Sequence, residues 1–158
     1  MRPTGEVERH TYDNIMQNGY FSINHVHQSI VAQAHFTSAK FKREESEFEK
    51  CQLTESYINN FPAPFVKESN LKIGLKLQES IPIKSNGTIL FVGALELIEI
   101  EEATISEEGY LDYESLKSVG IAGLNSYYTL HKLSEQPYAR VENLSSLYIS
   151  DDEKRKPS

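Results

Sequence analysis

The residues best suited to chemistry crowd the start of the chain, where residues 2–26 read RPTGEVERHTYDNIMQNGYFSINHV. Arg2 and Arg9 each carry a guanidinium that can hold two phosphate oxygens in a fork. Thr11 has the side chain of a helix N-cap, able to accept a bond from a free N–H of the first turn. A helix start presents unpaired N–H groups and the positive end of a dipole, which together suit a phosphate. These residue types in this order point to a docking place for a phosphorylated cofactor. The same pattern is also ordinary architecture, because a capped amphipathic helix feeding a strand needs no ligand. Glu6, Glu8 and Asp13 dilute the positive charge.

Other constellations are weaker. His25 and His27 fall on one face of an expected strand and His35 follows on an expected helix, a spacing that makes a metal site conceivable. Cys51 is far away in sequence and no carboxylate stands at ligand spacing, so hydrogen-bonded surface or interface histidines are the better reading. No nucleophile has a recognisable base, and there is no G-x-G-x-x-G fingerprint. No side chain is named as catalytic.

The elements that must position these groups follow from periodicity. Tyr12, Ile15 and Met16 share a helical face at i, i+3 and i+4, and Gly19 stands where a helix ends in a left-handed residue. Residues 20–26 read as a strand and residues 28–36 as a second short helix with Ile30, Val31 and Ala34 inward. Residues 37–46 form a polar loop interrupted by Phe41. Ser46 caps a brief helix through Glu49 and Cys51. Residues Asn60–Pro64, within the run NNFPAP, interrupt regular structure, since proline removes donors. Leu71, Ile73, Leu75 and Leu77 alternate with Lys72, Gly74, Lys76 and Gln78, predicting a strand with one buried and one wet face. Asn86-Gly87 is a hairpin signal, and residues 88–100 return as a long strand whose alternation changes phase, predicting a bulge near Gly93 or Ile98. Residues 112–117 read as a short helix containing Leu116. A loop holding Gly120, Ile121 and Gly123 then precedes a strand at 127–133. About four strands result, few for a closed barrel, and they leave bare edges needing a partner.

Composition bounds the rest. The 158 residues suit one domain with a real core, and the net charge of −7 argues against nucleic acid as a partner. The single cysteine permits no internal disulfide and suits a reducing compartment. No apolar leader or spanning stretch is visible, so the expectation is a cytoplasmic protein without membrane association. The domain is placed at residues 1–150, with a charged, disordered tail at 151–158.

The order of these motifs resembles the flavin reductase-like family. The likeness runs through residues 2–26, AQAHFTSAKF, SEFEKCQLT, NFPAPFVKESNLKIGLKLQESIPI, ILFVGALELIEI, EEGYLDYESLKSVG and AGLNSYY, and it covers nearly the whole chain. It implies a β-rich α+β fold, an FMN-binding split β-barrel with short flanking helices. It implies FMN as cofactor, NAD(P)H as co-substrate, and a hydride passed from NAD(P)H to flavin before electrons reach an acceptor. Arg2, Arg9 and Thr11 are implied at the flavin phosphate, with His10 adjacent and Asn14 ordering the turn or touching ligand. Thr37 and Ser38 match a small polar segment near the flavin ring. Gly123 and Tyr127 match a glycine–aromatic segment close to the ring or a partner subunit, in a homodimer. Family members carry further strands before the segment matching Arg2, so the barrel is expected to be N-terminally incomplete here, with Met1 an internal methionine of a longer product or the chain a fragment. The alternative function is a non-catalytic flavin-binding or protein-interaction module of the same fold.

Overall fold

The computed structural model describes residues 10–144, the side chain of Glu102 excepted. A long antiparallel hairpin forms its backbone. Strand β4 (Leu71–Pro82) and strand β5 (Ile89–Ile100) pair along their length, and β1 (Tyr20–Asn24) adds to the other side of β4 in the order β1-β4-β5. The Asn86-Gly87 turn joins the hairpin as expected. Gly87 takes φ +70° and donates to the Ile83 carbonyl at 2.9 Å, while Asn86 Oδ1 accepts from the Thr88 N–H at 3.0 Å.

The phase change in β5 has a physical basis. Gly74 faces Leu97 and Leu75 faces Leu95, so Glu96 is an extra residue on β5. A second shift leaves Gln78 extra on β4, beside the Leu77–Gly93 pair. The expected bulge is therefore present as two.

The wet face expected along β4 is not wet at its start. Lys72 is 8% exposed, and its Nζ lies 2.6 Å from Glu99 Oε1 on the neighbouring strand. Gly74 is buried because Phe61 packs directly onto it: a Cβ there would lie 2.8 Å from the Phe61 ring. Phe61, Ala63 and Phe65 form the tightest cluster, packed with Tyr20, Ile58 and Leu97. The segment that presents them links two short paired strands, β2 (Glu55–Ser56) and β3 (Phe65–Val66). Asn59 and Asn60 turn this link with φ of +50° and +58°, a conformation asparagine tolerates better than most residues.

The opposite face is apolar and open. Two rows run across all three strands, Phe21–Leu75–Leu95 and Ile23–Ile73–Ile98. Ile23, Leu95 and Ile98 are each about half exposed, at 48%, 58% and 53%.

Helix α1 (His10–Asn18) precedes β1 and ends at Gly19, whose N–H donates to the Ile15 carbonyl at 2.8 Å with φ +73°. Ile15 is buried, Tyr12 stacks on Phe91 at 5.8 Å, and Met16, expected inward, is 47% exposed. Strand β1 stops at Asn24, two residues short of expectation. The second helix divides into a 3-10 turn (Gln28–Ile30) and α2 (Val31–Phe36), with His27 Nδ1 accepting from the Ser29 N–H. Helix α3 (Glu47–Lys50) follows Ser46, whose hydroxyl accepts from the Glu49 N–H at 3.5 Å.

Residues 112–117 are a run of turns and not a helix. The Asp112 carboxylate accepts from the Glu114 and Ser115 N–H groups and from the Ser115 hydroxyl, which favours a turn over a continued helix. Lys117 then closes it at φ +51°, and Leu116 is fully buried as expected. The segment read as a glycine loop is strand β6 (Val119–Ala122), paired with β7 (Ser126–Thr129), so the last strand begins and ends earlier than expected. Among the described residues no helix is long and apolar enough to cross a membrane.

Candidate functional site

Thr11, expected in front of α1, lies inside its first turn, because the helix already includes His10. Helices begin before their first buried residue, and the apolar pattern starting at Tyr12 set the expected boundary too late. His10 is half-buried, whereas Thr11 and Asn14 are exposed on the helix. Arg2 and Arg9 lie outside the described residues. A cation that sequence reasoning left in a surface loop does reach this helix: Arg43 Nη1 lies 2.9 Å from Asp13 Oδ2, which tethers the 37–46 loop to α1. Thirty residues separate the pair, and no local pattern announces it.

A pocket of about 370 Å³ opens where β1 meets α2 and α3. Val26, Ile30, Ala34, Phe48, Leu53 and Val66 give it apolar walls, and Ser22, Asn24, His25, Thr37 and Glu47 are its polar lining. Three of these polar groups serve the fold. The Ser22 hydroxyl donates to the Pro64 carbonyl at 2.6 Å, Asn24 Oδ1 accepts from the Val66 N–H at 3.0 Å, and the Thr37 hydroxyl donates to the Ala34 carbonyl at 2.7 Å. Ser38, next in the chain, donates to the His35 carbonyl at 2.7 Å. Thr37 and Ser38 thus both finish the C-terminal end of α2, where the Ser38 N–H also donates to the His35 carbonyl at 3.2 Å.

Burial pushes the Glu47 carboxyl above its ordinary value, and the charge of His10 offsets part of this. His25 is lowered by burial, and its ring stacks on Tyr113 at 6.0 Å. Tyr127 OH lies 3.1 Å from His35 Nδ1, so hairpin β6–β7 is pinned to α2. Gly123 turns that hairpin at φ +63° and is exposed. The three histidines considered together as metal ligands have separate surroundings: Tyr113 for His25, Ser29 for His27 and Tyr127 for His35. Thr37, Ser38 and, through His35, Tyr127 gather at one end of α2. Thr11 and Asn14 lie farther along α1, and Gly123 stands at the tip of its hairpin.

A family model described as the flavin reductase-like domain matches residues 6–117. The chain belongs to that family. A Shewanella frigidimarina protein described as a flavin reductase with a split barrel domain is 46% identical, with a TM-score of 0.81 over 83% of this chain and 66% of that one. Nitrilotriacetate monooxygenase component B from Bacillus cereus is 26% identical, with a TM-score of 0.74 over 85% of this chain and 68% of that one. An uncharacterized protein of Aquifex aeolicus (strain VF5) is 28% identical over 75% of this chain and 59% of its own length. The chain therefore spans roughly three fifths to two thirds of these relatives. The fold is the β-rich split barrel of this flavin reductase-like domain.

The pocket's lining can be set against the parts of a flavin mononucleotide. Its apolar walls suit a flat ring, but no cation lines it and Glu47 adds a carboxylate, so a phosphate does not fit there. At the first turn of α1 the Arg43 guanidinium is paired with the Asp13 carboxylate at 2.9 Å.

Proposed function

We propose that this flavin reductase-like domain binds FMN and serves an NAD(P)H-dependent oxidoreductase, working as a homodimer. The observation that carries the reading is the family match across residues 6–117, strengthened by 46% identity to the Shewanella protein. When bound, the flavin supplies the redox chemistry, taking a hydride from NAD(P)H and delivering electrons to an acceptor. The chain's own residues bind and orient. Arg2, Arg9, His10, Thr11 and Asn14 hold the phosphate end at α1. Thr37, Ser38, Gly123 and Tyr127 border the ring from α2 and from hairpin β6–β7. No acid–base step is assigned to either set, because the electrons move through the cofactor. The open rows of the sheet, half-exposed at Ile23, Leu95 and Ile98, favour a second subunit against this domain.

The test compares FMN with riboflavin. Arg9→Ala is expected to weaken FMN by about 1.5–3 kcal/mol, the worth of a charged hydrogen bond, and to leave riboflavin unchanged because it lacks the phosphate. Equal losses for both flavins would remove Arg9 from the phosphate site. Rapid mixing of the flavin-loaded protein with NADH or NADPH should bleach the oxidised flavin within the dead time to seconds. Tight FMN binding without such bleaching would refute the reductase and favour the non-catalytic flavin-binding module.

A further inference from the structure

Hairpin β6–β7 is a sheet of its own, not hydrogen-bonded to β1-β4-β5 as a further strand. Its entry is fixed by backbone: the Gln28 N–H donates to the Lys117 carbonyl at 2.9 Å, and the Val119 N–H donates to the Val26 carbonyl at 3.1 Å. Its second strand meets α2 through Tyr127 and His35. Its exit is caught by one carboxylate. Glu114 Oε1 lies 3.0 Å from His131 Nδ1, and Glu114 Oε2 accepts from the Lys132 N–H at 2.9 Å. Residues 130–140 form neither helix nor strand, and Leu133 is almost fully exposed. We propose that Glu114 is a latch that keeps hairpin β6–β7 seated on α2, and that protonation of His131 tightens it.

The base of the latch is firm. Leu116 is fully buried two residues after Glu114, and Asp112 Oδ1 accepts from the Glu114 N–H at 3.0 Å. The Lys132 N–H and then the His131 ring hold the Glu114 carboxyl below its ordinary value, so it stays charged into mild acid. The other charges around it are Asp112 on the same turn, Glu108 in the preceding loop, and Lys132, which is paired with Glu135. His131 Nε2 faces the Thr129 hydroxyl at 3.3 Å. Imidazole changes charge between about pH 5 and 8. Below that interval the contact is an ion pair; above it only a hydrogen bond is left, while the Lys132 bond persists. The latch therefore slackens as pH rises. Both side chains are well exposed, which limits the charge to an effect of about fivefold or less. In the flavin reading, on which the functional side of this inference rests, Gly123 and Tyr127 border the ring, and Glu114 is a positioning residue for them.

The experiment follows amide exchange of the full chain by NMR at about pH 6 and about pH 8, each variant against the unmodified chain at the same pH so that base catalysis cancels. Glu114→Gln should speed exchange at Lys132 and across β6–β7 by about threefold or more at both. His131→Gln should speed it by about two- to fivefold at the lower pH and hardly at all at the higher. His131→Lys, a permanent cation, should keep exchange slow at both. The proposal is overturned if Glu114→Gln leaves Lys132 and the hairpin unchanged, if His131→Gln acts equally at the two pH values, or if His131→Lys loses protection at the higher one. Titration with FMN and riboflavin separates latch from cofactor. Glu114→Gln should weaken both flavins alike, by about two- to fivefold, because the hairpin borders the ring and not the phosphate. Unchanged affinity for both would overturn the positioning role. An unmodified chain that binds neither flavin would refute the flavin reading, with the latch still decided by exchange.

Discussion

Gly74→Ala is the substitution whose effect the packing specifies most closely. Its new Cβ would lie 2.8 Å from Phe61 Cζ, 2.9 Å from Phe61 Cε2 and 3.2 Å from Leu97 Cβ. Carbon atoms rest at about 3.5–4.0 Å, so the ring must retreat by more than half an ångström. It has little room to do so: Phe61 is 7% exposed, with Tyr20 edge-on at 5.5 Å and the fully buried Phe65 at 5.3 Å. Overpacking of this kind costs about 1–3 kcal/mol, and replacing glycine returns about 0.4–1 kcal/mol through the unfolded chain. The expected net loss is about 1–2 kcal/mol, read as a lower urea midpoint at unchanged slope. Phe61→Leu alone should also destabilise, by lost burial. In the double variant the shorter side chain makes room for the methyl, so the combined loss should fall short of the sum by about 1 kcal/mol. Additivity within about 0.5 kcal/mol would refute the contact as the cause. The effect reaches the pocket as well, because Ser22 pairs with Gly74 across the sheet and donates to the Pro64 carbonyl.

The remaining predictions concern single groups. His25, lowered by burial, binds fewer protons folded than unfolded, so its contribution is complete above about pH 6.5 and is lost as pH falls through its folded value. His25→Asn should flatten the pH dependence of the urea midpoint below 6.5, and an unchanged slope would refute the assignment. Cys51 is 6% exposed, and burial followed by the Glu47 charge pushes its thiol up. Labelling by a disulfide reagent at pH 8 should be slower by about two orders of magnitude in the folded chain than in urea, and immediate labelling would show that the thiol is not sequestered. Tyr127→Phe removes the 3.1 Å contact to His35 and should cost hairpin β6–β7 about 1 kcal/mol, seen as faster amide exchange at Gly120 and Tyr128. Unchanged exchange there would show that the hydroxyl anchors nothing.

What the sequence reveals here depends on how far apart the cooperating residues stand. Gly19, the Asn86-Gly87 turn and the Ser46 cap act within a few positions, and each is legible. Lys72 looks solvated by alternation alone, because the partner that makes its burial tolerable, Glu99, lies on the returning strand. Gly74 looks like a neutral spacer until Phe61, brought in by a link of prolines and left-handed asparagines, is seen to fill its place. The Arg43–Asp13 and His35–Tyr127 contacts join segments 30 and 92 residues apart, and they build much of the candidate site. At 112–117 a local rule misleads: helix composition is outweighed by Asp112 bonding to the N–H groups that follow it. The split barrel and its cofactor come from family resemblance and not from periodicity, since the sheets among the described residues carry no signature of closure.

The phase change in β5 is the local feature with the widest consequence. In an unbroken strand Leu95 and Ile98 would point to opposite faces, one of them into the Phe61 cluster. The extra residue, Glu96, restores them to one side, aligning Leu95 with Leu75 and Phe21 and Ile98 with Ile73 and Ile23. A bulge costs ladder bonds and is kept where it aims side chains usefully. Here it assembles two apolar rows on a face that the described residues leave half-open, while the opposite face is closed by Phe61, Ala63 and Phe65. Apolar rows of this regularity on a long edge strand invite further pairing. The bulge at Glu96 is thus the sequence feature that gathers the exposed Leu95 and Ile98 onto the side of the sheet away from Phe61.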